Sequence, residues 1–120
     1  MKNFNIEQHT VQSFNILKLQ GELDAHTASQ LEQALQRLIE QNNIHIIVNF
    51  CGLNYIASAG LGVFMAYIEE VRENGGDIKL TNMNDKVYNV FDLLGFPSLY
   101  DILKTEDEAI NKFKAETTES

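Results

Sequence analysis

The chain has 120 residues, 44% of them hydrophobic, and sets nine lysines and arginines against seventeen aspartates and glutamates for a formal net charge of −8. That length holds one domain with one core, and the few scattered cations exclude a nucleic-acid backbone as partner, because such affinity rests on clustered Lys and Arg. No apolar run approaches the ~20 residues of a membrane helix, so nothing in the chain is expected to span a bilayer.

The N-terminus, MKNFNIEQHT, has a lone lysine and no apolar run, so it does not read as a secretory signal and the expected compartment is the cytoplasm. FNIEQH then puts Phe4 and Ile6 on one side of a strand, and FNILKLQ continues with Phe14, Ile16, Leu17 and Leu19; a short polar turn between them predicts an antiparallel pair. In DAHTASQLEQALQRLIEQ, Ala28, Leu31, Leu35, Leu38 and Ile39 recur at helical spacing and leave Glu32, Gln36 and Glu40 for water. Asp24 or Thr27 supplies the N-cap, since a short oxygen-bearing side chain satisfies free amides of the first turn.

IHIIVNF, residues 44–50, is the near-continuous β-branched run of a central strand covered on both faces. Cys51, the single cysteine, follows it; with no disulfide partner it is expected as a small buried hydrophobe. Leu61, Phe64, Met65, Ile68 and Val71 predict a second helix, closed by a left-handed cap at Gly75-Gly76. DIKLT reads as a fourth strand, DKVYNVFDLLG as a third helix burying Val87, Val90, Phe91 and Leu94, and SLYDIL as a brief last strand. Thr105 and Glu108 stand in capping-box spacing before a final helix. The order β-β-α-β-α-β-α-β-α predicts a single α/β domain, a mixed and mainly parallel sheet with an N-terminal antiparallel hairpin and about four helices. Its expected extent is residues 1–114, with 115–120 a flexible polar tail.

Between the third strand and second helix lies NYIASAGLGVF, where Ser58 stands between two alanines with no Lys or Arg from Arg37 to Arg72. A nucleophile elbow needs G-x-S-x-G, but Ile56 occupies the place of the first glycine, and His9, His26 and His45 each lack a motif that would make a triad. A dinucleotide loop needs a third glycine where Met65 stands, and a P-loop needs a lysine. No metal-ligand spacing or carboxylate pair appears, so neither enzyme, cofactor nor metal chemistry is expected. The plainest reading makes Ser58 a helix cap, with Gly60 and Gly62 giving tight helix-to-sheet packing. Tyr55, Ile56, Ala57, Ala59, Leu61 and Val63 also form a chargeless set suited to a partner surface, although Ile56, Leu61 and Phe64 are expected to face inward.

GELDAHTASQLEQAL and, some thirty positions on, LNYIASAGLGVF resemble the STAS family, most closely its free-standing bacterial anti-sigma factor antagonists; the resemblance runs from about Phe4 to Phe113. It implies a non-enzymatic partner switch: the antagonist binds an anti-sigma factor that is itself a serine kinase, phosphorylation of the motif serine breaks the complex, and a serine phosphatase restores it. Ser58 takes the place of that serine. Asp24 falls where family members carry an acidic residue near it, and with Tyr55, Ile56, Ala57, Ala59, Gly60, Leu61 and Gly62 makes the implied partner-binding set. Many members have aspartate immediately before the serine; here it is Ala57. The alternative within the family is a subunit of a signalling scaffold or of a lipid-transport complex, and a monomer or weak dimer is expected.

Overall fold

The computed structural model describes residues 3–118. Strands β1 (Phe4–Val11) and β2 (Phe14–Leu23) form a hairpin, followed by α1 (Ala28–Glu40), β3 (His45–Ile56), α2 (Ser58–Glu73), β4 (Asp77–Thr81), α3 (Asp85–Leu93), α4 (Phe96–Leu99), β5 (Ile102–Leu103) and α5 (Glu106–Thr118). The sheet runs β1-β2-β3-β4-β5; β1 is antiparallel to β2, and every later pairing is parallel. This is the mixed α/β domain that alternating strands and helices predict, with each parallel connection made through a helix.

Alternation of side chains along each strand divides the core between two faces. Leu17, Leu19, Val48, Phe50 and Leu80 face α1 to α4, whereas Phe14, Ile16 and Ile47 face Ala109, Ile110 and Phe113 of α5. Under α2, α3 and α4 runs a line of rings: Phe50 to Phe64 at 5.3 Å, Phe64 to Phe91 at 6.2 Å, Phe91 to Phe96 at 5.2 Å and Phe96 to Tyr100 at 5.1 Å. Such tilted and edge-on pairs add to the area they bury.

The helix ends follow local chemistry. Gly75 (φ 92) takes the left-handed position after α2, with its amide donating to Arg72 and that of Gly76 to Val71, so the predicted glycine cap is a Schellman motif. Thr105 Oγ1 accepts from the Glu108 amide at 3.1 Å while the Glu108 carboxylate accepts from the Lys104 amide at 2.9 Å, close to the expected capping box.

Four expectations need correction. Ser98 and Leu99, expected to open the last strand SLYDIL, belong instead to α4 (Phe96–Leu99), since Pro97 has its φ preset for a first helical turn and Phe96 is anchored among the rings, leaving only Ile102–Leu103 as strand. Cys51 is exposed: α5 starts level with Asn49, whose side chain donates to Glu106 at 2.6 Å, and two residues later the strand has passed beyond the helix. Met65 and Leu94 also face solvent despite their helical spacing. Of the expected tail, residues 115–118 continue α5, and 119–120 lie outside the described residues.

Helix α5 is held to its face of the sheet partly by charge. Lys79, fully buried in β4, reaches Asp77 at 3.0 Å, Asp101 at 2.6 Å and Glu116 of α5 at 3.0 Å, and its ammonium lies 4.4 Å from the centre of the Phe113 ring. Burial alone would lower its pKa; the carboxylates of Asp101, Asp77 and Glu116 outweigh burial and hold it above the ordinary 10.5. Asp101 shows the reverse balance: burial would raise it, but Lys112 and Lys79 bring it below the ordinary 3.8.

Candidate functional site

The parallel pairing of β2 with β3 ends at Leu23 opposite Ile56, and the Ala57 amide extends it by donating to the Leu23 carbonyl at 2.9 Å. The chain then turns into α2 with Ala57 (φ −104, ψ 171) at the N-cap. An alanine has no oxygen with which to cap, and no side chain caps this helix. Ser58 is therefore not the cap but the first helical residue, exposed, with its hydroxyl bonded to nothing among the described residues. The Gly60 and Leu61 amides both close on the Ala57 carbonyl, at 3.0 and 3.3 Å, which leaves the Ser58 and Ala59 amides without an intrahelical acceptor at the positive end of the helix dipole. No acidic residue in the first turn of α2 offsets that field.

Glycine is required at one of the two motif positions. A Cβ on Gly60 would stand 2.7 Å from Leu23 Cγ and 3.1 Å from Ile56 Cγ1, whereas one on Gly62 would meet nothing within 4 Å. Gly60 thus lets α2 start close against β2, and Gly62, expected to do the same, is instead bare exposed backbone one turn beyond Ser58.

The flanks of the turn are fixed by polar side chains. Asp24 is buried; its Oδ1 accepts from the amides of His26 at 2.9 Å and Thr27 at 3.2 Å, while the Thr27 hydroxyl donates to the Glu22 carbonyl and accepts from the Asp24 amide, each at 2.9 Å. Asp24 thus builds the tight turn into α1, and Thr27 holds the N-cap place with its hydroxyl turned back into that turn. On the other side, Asn84 caps α3 by accepting from the Val87 amide at 2.8 Å and donates to the Leu53 carbonyl at 3.3 Å, tying α3 to the end of β3.

Of the residues singled out in the sequence, the structure brings Ser58, Tyr55, Ala57, Ala59 and Gly62 to one surface, Tyr55 being 45% exposed; Ile56, Leu61 and Val63 point into the core. Sequence spacing missed two contributors. Met65, 47% exposed, continues the outward stripe of Ser58 and Gly62, and the next residue of that stripe, Glu69, accepts from the Tyr100 hydroxyl at 3.3 Å. Arg72 donates to the Leu99 carbonyl at 2.9 Å and lies over the Tyr100 ring at 5.1 Å, so α4 docks beside α2 with Leu99 exposed. Helical periodicity identifies such apolar positions without saying which lack a covering element.

The model of the STAS domain matches residues 5–109. The chain belongs to the STAS-domain family. Within that family it is 30% identical over 97 residues to the anti-sigma-B factor antagonist of Staphylococcus aureus, covering 81% of this chain and 90% of that one. Among solved structures it is similar to the Bacillus cell-fate determinant SpoIIAA in its phosphorylated form, with a TM-score of 0.70 and 28% identity over 92% of this chain and 99% of the other. An anti-sigma factor antagonist from Mycobacterium paratuberculosis shares the STAS fold with a TM-score of 0.84 at 18% identity, covering 92% of this chain and 93% of that one. Among the described residues, no helix is long and apolar enough to cross a membrane.

Proposed function

We propose that this STAS protein is a non-enzymatic cytoplasmic anti-sigma factor antagonist. It binds an anti-sigma factor that is itself a serine kinase and so frees a sigma factor; phosphorylation of Ser58 breaks the complex, and a serine phosphatase restores it. The observation that carries this reading is an exposed serine hydroxyl at the first position of an uncapped helix whose first turn holds no charged side chain. A phosphoryl group there meets the free amides of the helix end and adds roughly −1.5 to −2 charges. An apolar partner face that buries cheaply against Tyr55, Ala57, Ala59, Gly62, Met65 and Leu99 would then have to bury a phosphate dianion, at a cost of several kcal/mol unless it supplies a cation. Ile56, Gly60 and Leu61 act beneath that surface by fixing its shape, and Asp24 by fixing the adjoining turn. Similarity to SpoIIAA, a protein known in a phosphorylated form, supports the same serine-centred switch.

The test is intact-mass analysis of the protein and its Ser58→Ala variant after incubation with ATP and the kinase-type anti-sigma factors of its host. One phosphoryl addition, lost in the variant, is expected. One observation favours a second reading: Ala57 stands where many relatives have aspartate, and no acidic residue lies in the first turn of α2. If no addition occurs with a kinase active on another antagonist, the chain is an unswitched binding subunit of a signalling scaffold or lipid-transport complex.

A further inference from the structure

The two edges of the sheet differ. Strand β5 is two residues long, too short to template another chain, whereas β1 offers eight residues that pair with β2 from Phe4 to Val11 without a register shift. It contains no proline, lysine or bulge, the usual means of blunting an edge. Among the described residues no strand pairs with its outer side.

The orientation of its backbone follows from one hydrogen bond. The Asn3 carbonyl accepts from the Glu22 amide at 2.8 Å, and inward bonding alternates along an antiparallel ladder, so the odd-numbered residues of β1 bond to β2. Phe4, Ile6, Gln8 and Thr10 therefore turn their N–H and C=O groups outward. On the helix-covered side, a cleft of about 280 Å³ lies between this edge and α1, floored by Phe4, Ile6 and Ala34 and rimmed by Gln30, Gln33 and Arg37. It gives an added strand somewhere to place its side chains.

We infer that the occupant is a second copy of this chain, joined by antiparallel pairing of β1 with β1 about a two-fold axis at Gln8. Pairing a strand with itself must match like faces, which allows only registers in which a residue sits opposite its own counterpart. Centring on Glu7 sets two carboxylates against each other, which is destabilising, and centring on Ile6 pairs only residues 4–8. Centring on Gln8 pairs residues 5–11, sets Ile6 opposite the partner's Thr10, and sets Glu7 opposite the partner's His9, whose ring N–H can donate to the carboxylate. It is the longest even register in which no like charges oppose. The two sheets become one continuous sheet, and because the axis reverses the strands, the two Ser58 surfaces lie at opposite ends of it, away from the seam.

Sedimentation equilibrium over a wide concentration range tests this. The unaltered chain is expected to shift from 13.6 kDa towards twice that mass. His9→Glu, which opposes carboxylates at both symmetry-related pairs, should weaken the dimer on the order of ten-fold, and Glu7→Lys combined with His9→Glu should restore it. Gln8→Pro removes an outward N–H that β2 does not use, so it should abolish the dimer and leave the far-ultraviolet circular dichroism of the monomer unchanged. A chain that stays monomeric at millimolar concentration overturns the inference, as does a dimer indifferent to His9→Glu. So does a monomer whose binding to an anti-sigma factor is lost on Gln8→Pro, which would assign the edge to a strand of that partner.

Discussion

The Ser58 surface and the Lys79 cluster manage charge in opposite ways. Around Lys79 one fully buried cation is ringed by Asp77, Asp101 and Glu116 at 2.6 to 3.0 Å, and Lys112 closes on Asp101 from outside at 2.6 Å. Around Ser58 no charged side chain occupies the first turn of α2, and the nearest carboxylate in the β2–α1 turn, Asp24, has its Oδ1 committed to backbone amides. One region gathers every charge it needs and hides it. The other presents neutral backbone and methyl groups, so that a charge arriving there changes the surface most.

That contrast is broken most severely by Lys79→Ala, which leaves three carboxylates without their shared cation. A loss on the order of 3 kcal/mol is expected in urea unfolding, and a loss below about 1 kcal/mol would mean that α5 does not depend on the cluster. Gly60→Ala comes next: its Cβ at 2.7 Å from Leu23 must push α2 off β2, with about 1 to 3 kcal/mol expected by the same measurement. A pH series on the unaltered protein reads the cluster without mutation. Asp101 is depressed, so its contribution is present above the ordinary 3.8 and is lost as pH falls through its lower folded value. Lys79 is raised, so its contribution is complete below 10.5 and lost as pH rises through its higher folded value. A stability plateau bounded by those two ranges is expected, and Lys79→Ala should shrink its alkaline edge to the part that the raised Tyr67 and Tyr100 phenols contribute.

At the other region the effects on stability shrink while those on binding grow. Ser58→Asp should leave the unfolding midpoint nearly unchanged, because the side chain is exposed, yet weaken an anti-sigma factor on the order of ten-fold or more in calorimetric titration. Equal affinity would remove the switch from the proposal. Gly62→Ala is the mildest: with open space around its Cβ, a stability change within about 0.5 kcal/mol is expected. A measurable loss of partner binding would place Gly62 in the contact.

Strand and helix order was readable because each element carries a strong period: β-branched runs for β3 and β4, and Leu31, Leu35 and Leu38 for α1. The serine turn was readable for a different reason, since small residues around one hydroxyl stand out in any chain. What escaped was decided by neighbours distant in sequence. Nothing within DIKLT signals that Lys79 is buried, and only the arrival of Asp101 and Glu116 lets it be so. Cys51 looked like core until the starting point of α5 left it uncovered, and Ser58 looked like a cap until Ala57 was found in that place.

By itself, then, the sequence determined the elements, their order, the mixed sheet and the candidate serine, because period, turn chemistry and local composition act over a few residues. Tertiary structure alone decided which apolar residues remain outside, which charges go inside, that Gly60 and not Gly62 requires its missing Cβ, and that β1 is left as an open edge. Each of those depends on atoms brought together from remote parts of the chain, where exclusion of water and close packing set the outcome.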